Sequence, residues 1–214
     1  MKLKVCGMKY SENITAIASM QPDYLGFIFY EKSPRNFEGE IPSIPKSIKK
    51  TGVFVDASID FIIEKIKLYD FKAIQLHGKE TPDYCLKLKS RIAPIDTTNQ
   101  IELWKVFSIK DTFDFSILKS YEGIVDCFLF DTKGKEKGGN GYTFDWNILK
   151  KYPSTTPFIL SGGIGLEETE AVLDFLKSPE SKYIHAIDVN SKFENIPGEK
   201  KIEDLKKFKK IISC

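Results

Sequence analysis

Cys6 and Asp131 lie 125 positions apart, and each ends an apolar run that reads as a strand. Leu3-Lys4-Val5 precedes the thiol, and the run from Cys127 to Phe130 precedes the carboxyl. A thiol becomes a base once a neighbouring cation or a helix N-terminus favours its thiolate. A carboxyl becomes a general acid when burial raises its pKa. At the carboxyl ends of two parallel strands the pair can face one pocket and move protons on a substrate with no metal and no cofactor. Taken singly, each has a plain structural reading: a small buried cysteine, and an aspartate that caps a helix or joins a surface salt bridge.

Other residues with chemical potential fall at similar places. Ser33-Pro34-Arg35 follows the second run. Of 32 basic residues only Arg35 and Arg91 are arginines. A guanidinium kept in so lysine-rich a chain points to a need for its fork on a carboxylate or phosphate; the plain alternative is a solvated surface arginine. His77 in Gln75-Leu76-His77-Gly78 reads as an acid–base group, a substrate donor or a structural residue. The stretch Lys133 to Gly141 holds four glycines among lysines, a basic loop able to close over an anion or a plain flexible connection. Ser161-Gly162-Gly163-Ile164-Gly165 lets backbone N–H groups approach a ligand, ahead of a helix expected from Leu166 whose positive end suits a phosphate. Asp188-Val189-Asn190-Ser191 adds donors and one carboxylate.

The elements that must position these groups follow from apolar patterning. Short runs that are apolar on both faces recur at 3–6, 24–29, 52–55, 73–77, 102–107, 127–131, 158–161 and 185–189. Strands buried on both faces of a parallel sheet read this way. Helical patterns lie between them at 11–20, 58–69, from 81, 111–119, 144–150, 166–176 and 200–212. Ser11 and Ser58 suit N-caps, and Thr81-Pro82 supplies a cap followed by a first-turn proline. The connection 33–50 is rich in proline, and only its end reads as helical. Eight strands alternating with about eight helices predict an α/β fold, a (β/α)8 TIM barrel, as one domain over 1–214. Active sites in such barrels lie where the strands end.

Composition narrows the function classes. Hydrophobic residues are 42% of the chain, enough for a full core, and the formal charge of +2 gives no reason to expect nucleic acid or an anionic membrane as partner. No apolar run approaches the roughly 20 residues of a membrane span, and no apolar leader core precedes the first strand. The four cysteines (Cys6, Cys85, Cys127, Cys214) show no paired short spacing, against a zinc site or a disulfide framework. A reducing, cytoplasmic setting is expected. Cys85 and Cys127 read as ordinary buried residues. The expected partner is a small phosphorylated molecule; a monomer is expected, with a homodimer left open.

In this order the motifs resemble phosphoribosylanthranilate isomerase of tryptophan biosynthesis. The likeness rests on Lys4-Val5-Cys6-Gly7-Met8, Gly26-Phe27-Ile28-Phe29, Ser33-Pro34-Arg35, Gly52-Val53-Phe54-Val55, Gln75-Leu76-His77-Gly78, Phe130-Asp131-Thr132, the run Gly138 to Trp146, Ser161-Gly162-Gly163-Ile164 and Asp188-Val189. It implies a cofactor-free Amadori rearrangement of N-(5'-phosphoribosyl)anthranilate to 1-(2-carboxyphenylamino)-1-deoxyribulose 5-phosphate. It assigns Asp131 as general acid and Cys6 as general base. It places Arg35 on the anthranilate carboxylate and His77 and Asp188 on the substrate. Phosphate would be held at Gly141, Gly162, Gly163, Asn190 and Ser191.

One departure stands out. The family continues after the strand-8 aspartate with a Ser-Ser-Gly-Val-Glu-like run, and this chain reads Asn190-Ser191-Lys192-Phe193-Glu194. A lysine where glycine needs positive φ would be strained by roughly 1–2 kcal/mol; alternatively Lys192 brings a cation to the phosphate pocket. Two classes of rival reading carry less, a neighbouring barrel enzyme and a barrel without catalysis. A phosphoribosyl-aminoimidazole isomerase typically pairs two aspartates, and an indole-glycerol-phosphate synthase uses lysine and glutamate. A non-catalytic phosphate-binding barrel is supported only by the altered strand-8 run.

Overall fold

The protein is described by a computed structural model covering residues 1–96, 101–110, 112–132 and 145–213. Eight parallel strands close a barrel in chain order: β1 (Lys2–Val5), β2 (Tyr24–Phe29), β3 (Lys49–Phe54), β4 (Ala73–Leu76), β5 (Glu102–Ile109), β6 (Cys127–Thr132), β7 (Phe158–Leu160) and β8 (Ile184–Val189). Pairing of β1 with β8 closes it and sets Lys4 opposite Asp188. Five α-helices lie among the described residues: α1 (Ser11–Ala18), α2 (Ile59–Tyr69), α3 (Pro82–Ile92), α4 (Thr169–Lys177) and α5 (Ile202–Ile212). A short antiparallel pair, β9 (Glu194–Ile196) and β10 (Glu199–Lys200), follows β8. Among the described residues no helix is long and apolar enough to cross a membrane.

The period of two along each strand sorts the core into two clusters. Leu3, Val5, Leu25, Phe27, Ile74, Leu76, Phe128 and Phe130 join helix residues such as Ile62, Ile66, Leu88 and Phe208 in the outer layer. The alternate positions Tyr24, Ala73, Trp104, Val106, Cys127, Leu129, Ile159 and Ala186 form a separate cluster that fills the barrel. Trp104 is wholly buried there, worth roughly 2–3 kcal/mol. One step further along the same inward rows the residues turn polar: Cys6, Gln75, Asp131, Ser161 and Asp188 are all buried. The apolar plug closes the amino-terminal end, and the polar ring opens at the carboxyl end.

Two caps form as expected: Ser58 accepts the Phe61 N–H at 3.3 Å and Thr81 that of Tyr84 at 3.2 Å. Ser11 does not cap; it is the first helical residue, and Tyr10 holds the cap position with no side-chain bond. The helices expected at 111–119 and 144–150 are instead 3-10 segments, Phe115–Ser120 and Trp146–Lys151, capped by Asp114 and Asp145. No helix ends the connection after β2. Pro42 and Pro45 lack donors there, and Lys49 and Lys50 are already strand, paired with Tyr24 and Leu25.

Candidate active site

One cavity at the carboxyl end of the barrel is lined by Cys6, Arg35, His77, Asp131, Gly162, Gly163, Asp188, Asn190 and Ser191. Gly141 and the loop 133–141 lie outside the described residues.

Cys6 follows the last residue of β1, and its backbone N–H still bonds to Val189 O at 2.9 Å. Two residues earlier on the same inward row, Lys4 is fully buried. Its ammonium donates to Asp188 Oδ1 at 2.8 Å, and its charge acts on the Cys6 thiol. Ser161 Oγ donates to the other Asp188 oxygen at 3.1 Å. Burial works against the Lys4 charge, but Asp188 and Cys6 outweigh it and hold its pKa above the ordinary value. Burial also pushes the Cys6 thiol up, the Lys4 ammonium pulls it down, and Asp188 pushes it up again. In the free protein burial prevails, so the thiol form is favoured. Gly26 on β2 makes room for it, since a Cβ there would lie 2.8 Å from Sγ.

Asp131 stands on β6 one residue before its end and is 7% exposed. Its Oδ1 accepts the Thr132 N–H at 2.9 Å, and its Oδ2 lies 3.4 Å from His77 Nε2. The loop after β4 that carries His77 is tied down from behind. Buried Glu80 accepts the N–H groups of Asp56 and Gly78 (both 2.9 Å) and pairs with buried Lys105 at 3.1 Å. Gly162, at φ +92°, packs against this corner: a Cβ would strike the Thr132 backbone and lie 2.8 Å from Asp131 Oδ1. Only glycine fits.

Arg35 is held by a carboxylate of its own chain. Glu194 accepts from Nε at 3.0 Å and from Nη2 at 2.6 Å. Fully buried Lys200 approaches Glu194 at 2.6 Å and Asn190 Oδ1 at 2.7 Å. Burial disfavours the Glu194 charge, yet Arg35 and Lys200 together lower its pKa. Burial depresses Lys200 to about 8 despite the pull of Glu194. The space beside Gly7 (φ +75°) is taken by this group: a Cβ there would meet Asn190 Oδ1 at 2.6 Å and Arg35 Cδ at 2.8 Å.

The glycine loop after β7 differs from expectation at its far end. α4 begins at Thr169, three residues beyond Leu166, and the Gly165 N–H is taken by Glu168 Oε2 at 2.8 Å. The helix therefore does not open directly behind the glycines. Lys192 reaches the same corner, lines the cavity and stands 3.9 Å from Glu168. It lies in a 3-10 turn (Ser191–Phe193) and is absent from the positive-φ residues, so the strain expected of a lysine in a glycine position does not arise.

Lys4, Gln75, Glu194 and Lys200 contribute to the site and were not among the expected residues. Lys4 and Gln75 had a visible signal, a polar residue within an apolar strand two positions before a strand-end group. Glu194 had one only in its match to the glutamate of the family-like run after β8, and Lys200 had none, because its partners come from distant segments. No cluster of three or more metal-ligating side chains occurs among the described residues.

The family described as N-(5'phosphoribosyl)anthranilate (PRA) isomerase matches residues 3–211. The N-(5'-phosphoribosyl)anthranilate isomerase of Parabacteroides distasonis is 42% identical over 97% of this chain and 91% of its own. The crystal structure of the Thermotoga maritima phosphoribosyl anthranilate isomerase superposes with TM-score 0.82 at 28% identity, covering 100% of this chain and 98% of that one. A second isomerase structure, in complex with reduced 1-(o-carboxyphenylamino)-1-deoxyribulose 5-phosphate, superposes with TM-score 0.78 at 25% identity, with coverage of 100% and 98%.

Proposed function

This chain belongs to the N-(5'-phosphoribosyl)anthranilate isomerase family, and from that premise we propose how its own residues carry the reaction. The substrate is N-(5'-phosphoribosyl)anthranilate and the product 1-(2-carboxyphenylamino)-1-deoxyribulose 5-phosphate, a step of tryptophan biosynthesis. Asp131 protonates the ribose ring oxygen as the C1–O bond breaks, and the anthranilate nitrogen lone pair forms the iminium. Cys6, as thiolate, removes the now acidic C2 proton. The enolamine gains a proton at C1 and loses one from its 2-hydroxyl, which gives the ketone with no net change in protons. Each positioned proton transfer is worth about 10²–10⁴-fold.

The observation that carries this reading is that Cys6 and Asp131 line the same cavity. The carboxyl is backed by His77 and the thiol by the buried Lys4–Asp188 pair. A thiol that burial keeps protonated needs a cation to become a base, and the Lys4 ammonium is that cation. Closing the site over a substrate excludes water and strengthens this pull. Glu194 aims Arg35 toward the anthranilate carboxylate, and the N–H groups of Gly162 and Gly163 face the phosphate together with Asn190, Ser191 and Lys192. The chain works as a single barrel domain, and its buried free thiols Cys6, Cys85 and Cys127 suit the reducing cytoplasm.

The test is a coupled assay. Substrate is generated in place from anthranilate and phosphoribosyl pyrophosphate, and loss of its fluorescence is followed. The reading predicts enzyme-dependent loss that disappears in Asp131→Asn; equal loss with the variant contradicts the assignment of the acid.

A further inference from the structure

Gln75 sits one pleat below His77 on β4, is 2% exposed, and lines the cavity. Its amide Nε2 lies 3.3 Å from His77 Nδ1 in the structure, and the other end, Oε1, is buried without a partner. Buried amides normally satisfy both ends. His77 Nε2 in turn stands 3.4 Å from Asp131 Oδ2, while Asp131 Oδ1 is occupied by the Thr132 N–H. The three side chains form a line: amide, imidazole, carboxyl.

The amide decides where the protons of this line rest. A neutral imidazole has one N–H, and the two ends of a glutamine amide are interchanged by a half-turn. With the amide NH2 toward Nδ1, the ring hydrogen must be on Nε2. It is then donated to Asp131, whose carboxylate has no proton to deliver. With the amide oxygen toward Nδ1, the hydrogen sits on Nδ1. The free Nε2 lone pair then lets the pair take up one further proton from water, shared with Oδ2. Only this second setting loads the acid.

We propose that Gln75 is the positioning residue that loads Asp131, holding His77 in its Nδ1–H form through the amide oxygen. The proton leaves Oδ2 for the ring oxygen, the C1–O electron pair goes to that oxygen, and His77 stays neutral. The other titratable and charged groups around the line are Cys6, Arg35, Asp188 and Lys192 across the cavity, and Asp56, Glu80 and Lys105 behind Gly78.

This inference rests on the assignment of Asp131 as acid, and the experiment separates the two. The chain has only two histidines, so nitrogen-15 NMR of the His185→Gln protein reads His77 alone. In complex with the reduced product analogue, the proposal predicts hydrogen on Nδ1, and loss of that preference in Gln75→Met. Hydrogen on Nε2, or a tautomer unchanged by Gln75→Met, overturns it. In kinetics, Gln75→Met lowers kcat about tenfold with KM nearly unchanged. Gln75→Glu, whose carboxylate can only accept, restores most of the loss. The effect of Gln75→Met vanishes in a His77→Asn background. An equal loss with and without His77 overturns the proposal. A wild-type protein without turnover contradicts the isomerase reading alone, and the NMR result still decides the role of Gln75.

Discussion

The barrel holds a histidine–carboxylate pair at each end, and the two differ in what surrounds them. At the amino-terminal end His185 Nε2 lies 2.8 Å from the Tyr24 hydroxyl and 3.8 Å from Glu102 Oε2. Glu102 also accepts from Trp104 Nε1 at 3.0 Å and Lys49 Nζ at 2.5 Å. The Tyr24 and Trp104 rings meet edge to face at 5.0 Å. At the carboxyl end His77 and Asp131 meet at 3.4 Å, beside an open cavity and an amide with one unpartnered end. The functional groups are the same, an imidazole and a carboxyl. The lower pair is saturated with partners and capped by aromatic rings, so it holds structure. The upper pair keeps hydrogen-bonding capacity and access, which proton transfer to a substrate needs.

Mutation should separate the two ends, and the largest effect belongs to the upper one. Asp131→Asn is expected to lower kcat by about 10²–10⁴-fold with a thermal midpoint close to wild type; loss of fold instead would make Asp131 structural. Cys6→Ser is expected to lower kcat about 10²-fold or more, because a hydroxyl is a far weaker base. Lys4→Met removes the cation beside the thiol. Iodoacetamide should then label Cys6 roughly tenfold more slowly at neutral pH, and the uncompensated Asp188 carboxylate should lower the thermal midpoint. Labelling at the wild-type rate would remove Lys4 from the account.

The smallest effect on catalysis belongs to the lower pair. Burial first, then the Lys2 charge, lowers the pKa of His185 below its ordinary 6.5, against the pull of Glu102. A histidine with a depressed folded pKa binds its proton more readily when unfolded. This part of the stability is therefore complete above pH 6.5 and declines as pH falls below it. His185→Gln should flatten that decline in denaturant unfolding while kcat changes by less than about twofold. A large kcat loss would erase the distinction between the ends.

The barrel was legible because its strands are buried on both faces and therefore apolar throughout. The 3-10 segments were not, since one turn of 3-10 and one of α-helix share the same apolar spacing. Cys6 and Asp131 could be picked out because each ends an apolar run. Lys4 was visible as a charge inside such a run, but its meaning depends on Asp188, which barrel closure brings opposite it from 184 residues away. Gln75 likewise takes its meaning from Asp131 on another strand. Lys200 looked like an ordinary member of a charged tail, and Glu194 stood only as the last residue of the altered strand-8 run. Their burial against Arg35 is set by the turn between β9 and β10.

The central claim is that Cys6 takes the C2 proton, and one measurement tests it directly. Substrate deuterated at ribose C2, formed in place from labelled phosphoribosyl pyrophosphate, is turned over and the rate compared with unlabelled substrate under single-turnover conditions. The account predicts a primary isotope effect in the wild type and no detectable C2–D cleavage in Cys6→Ala. Cleavage by Cys6→Ala at the wild-type rate would contradict it.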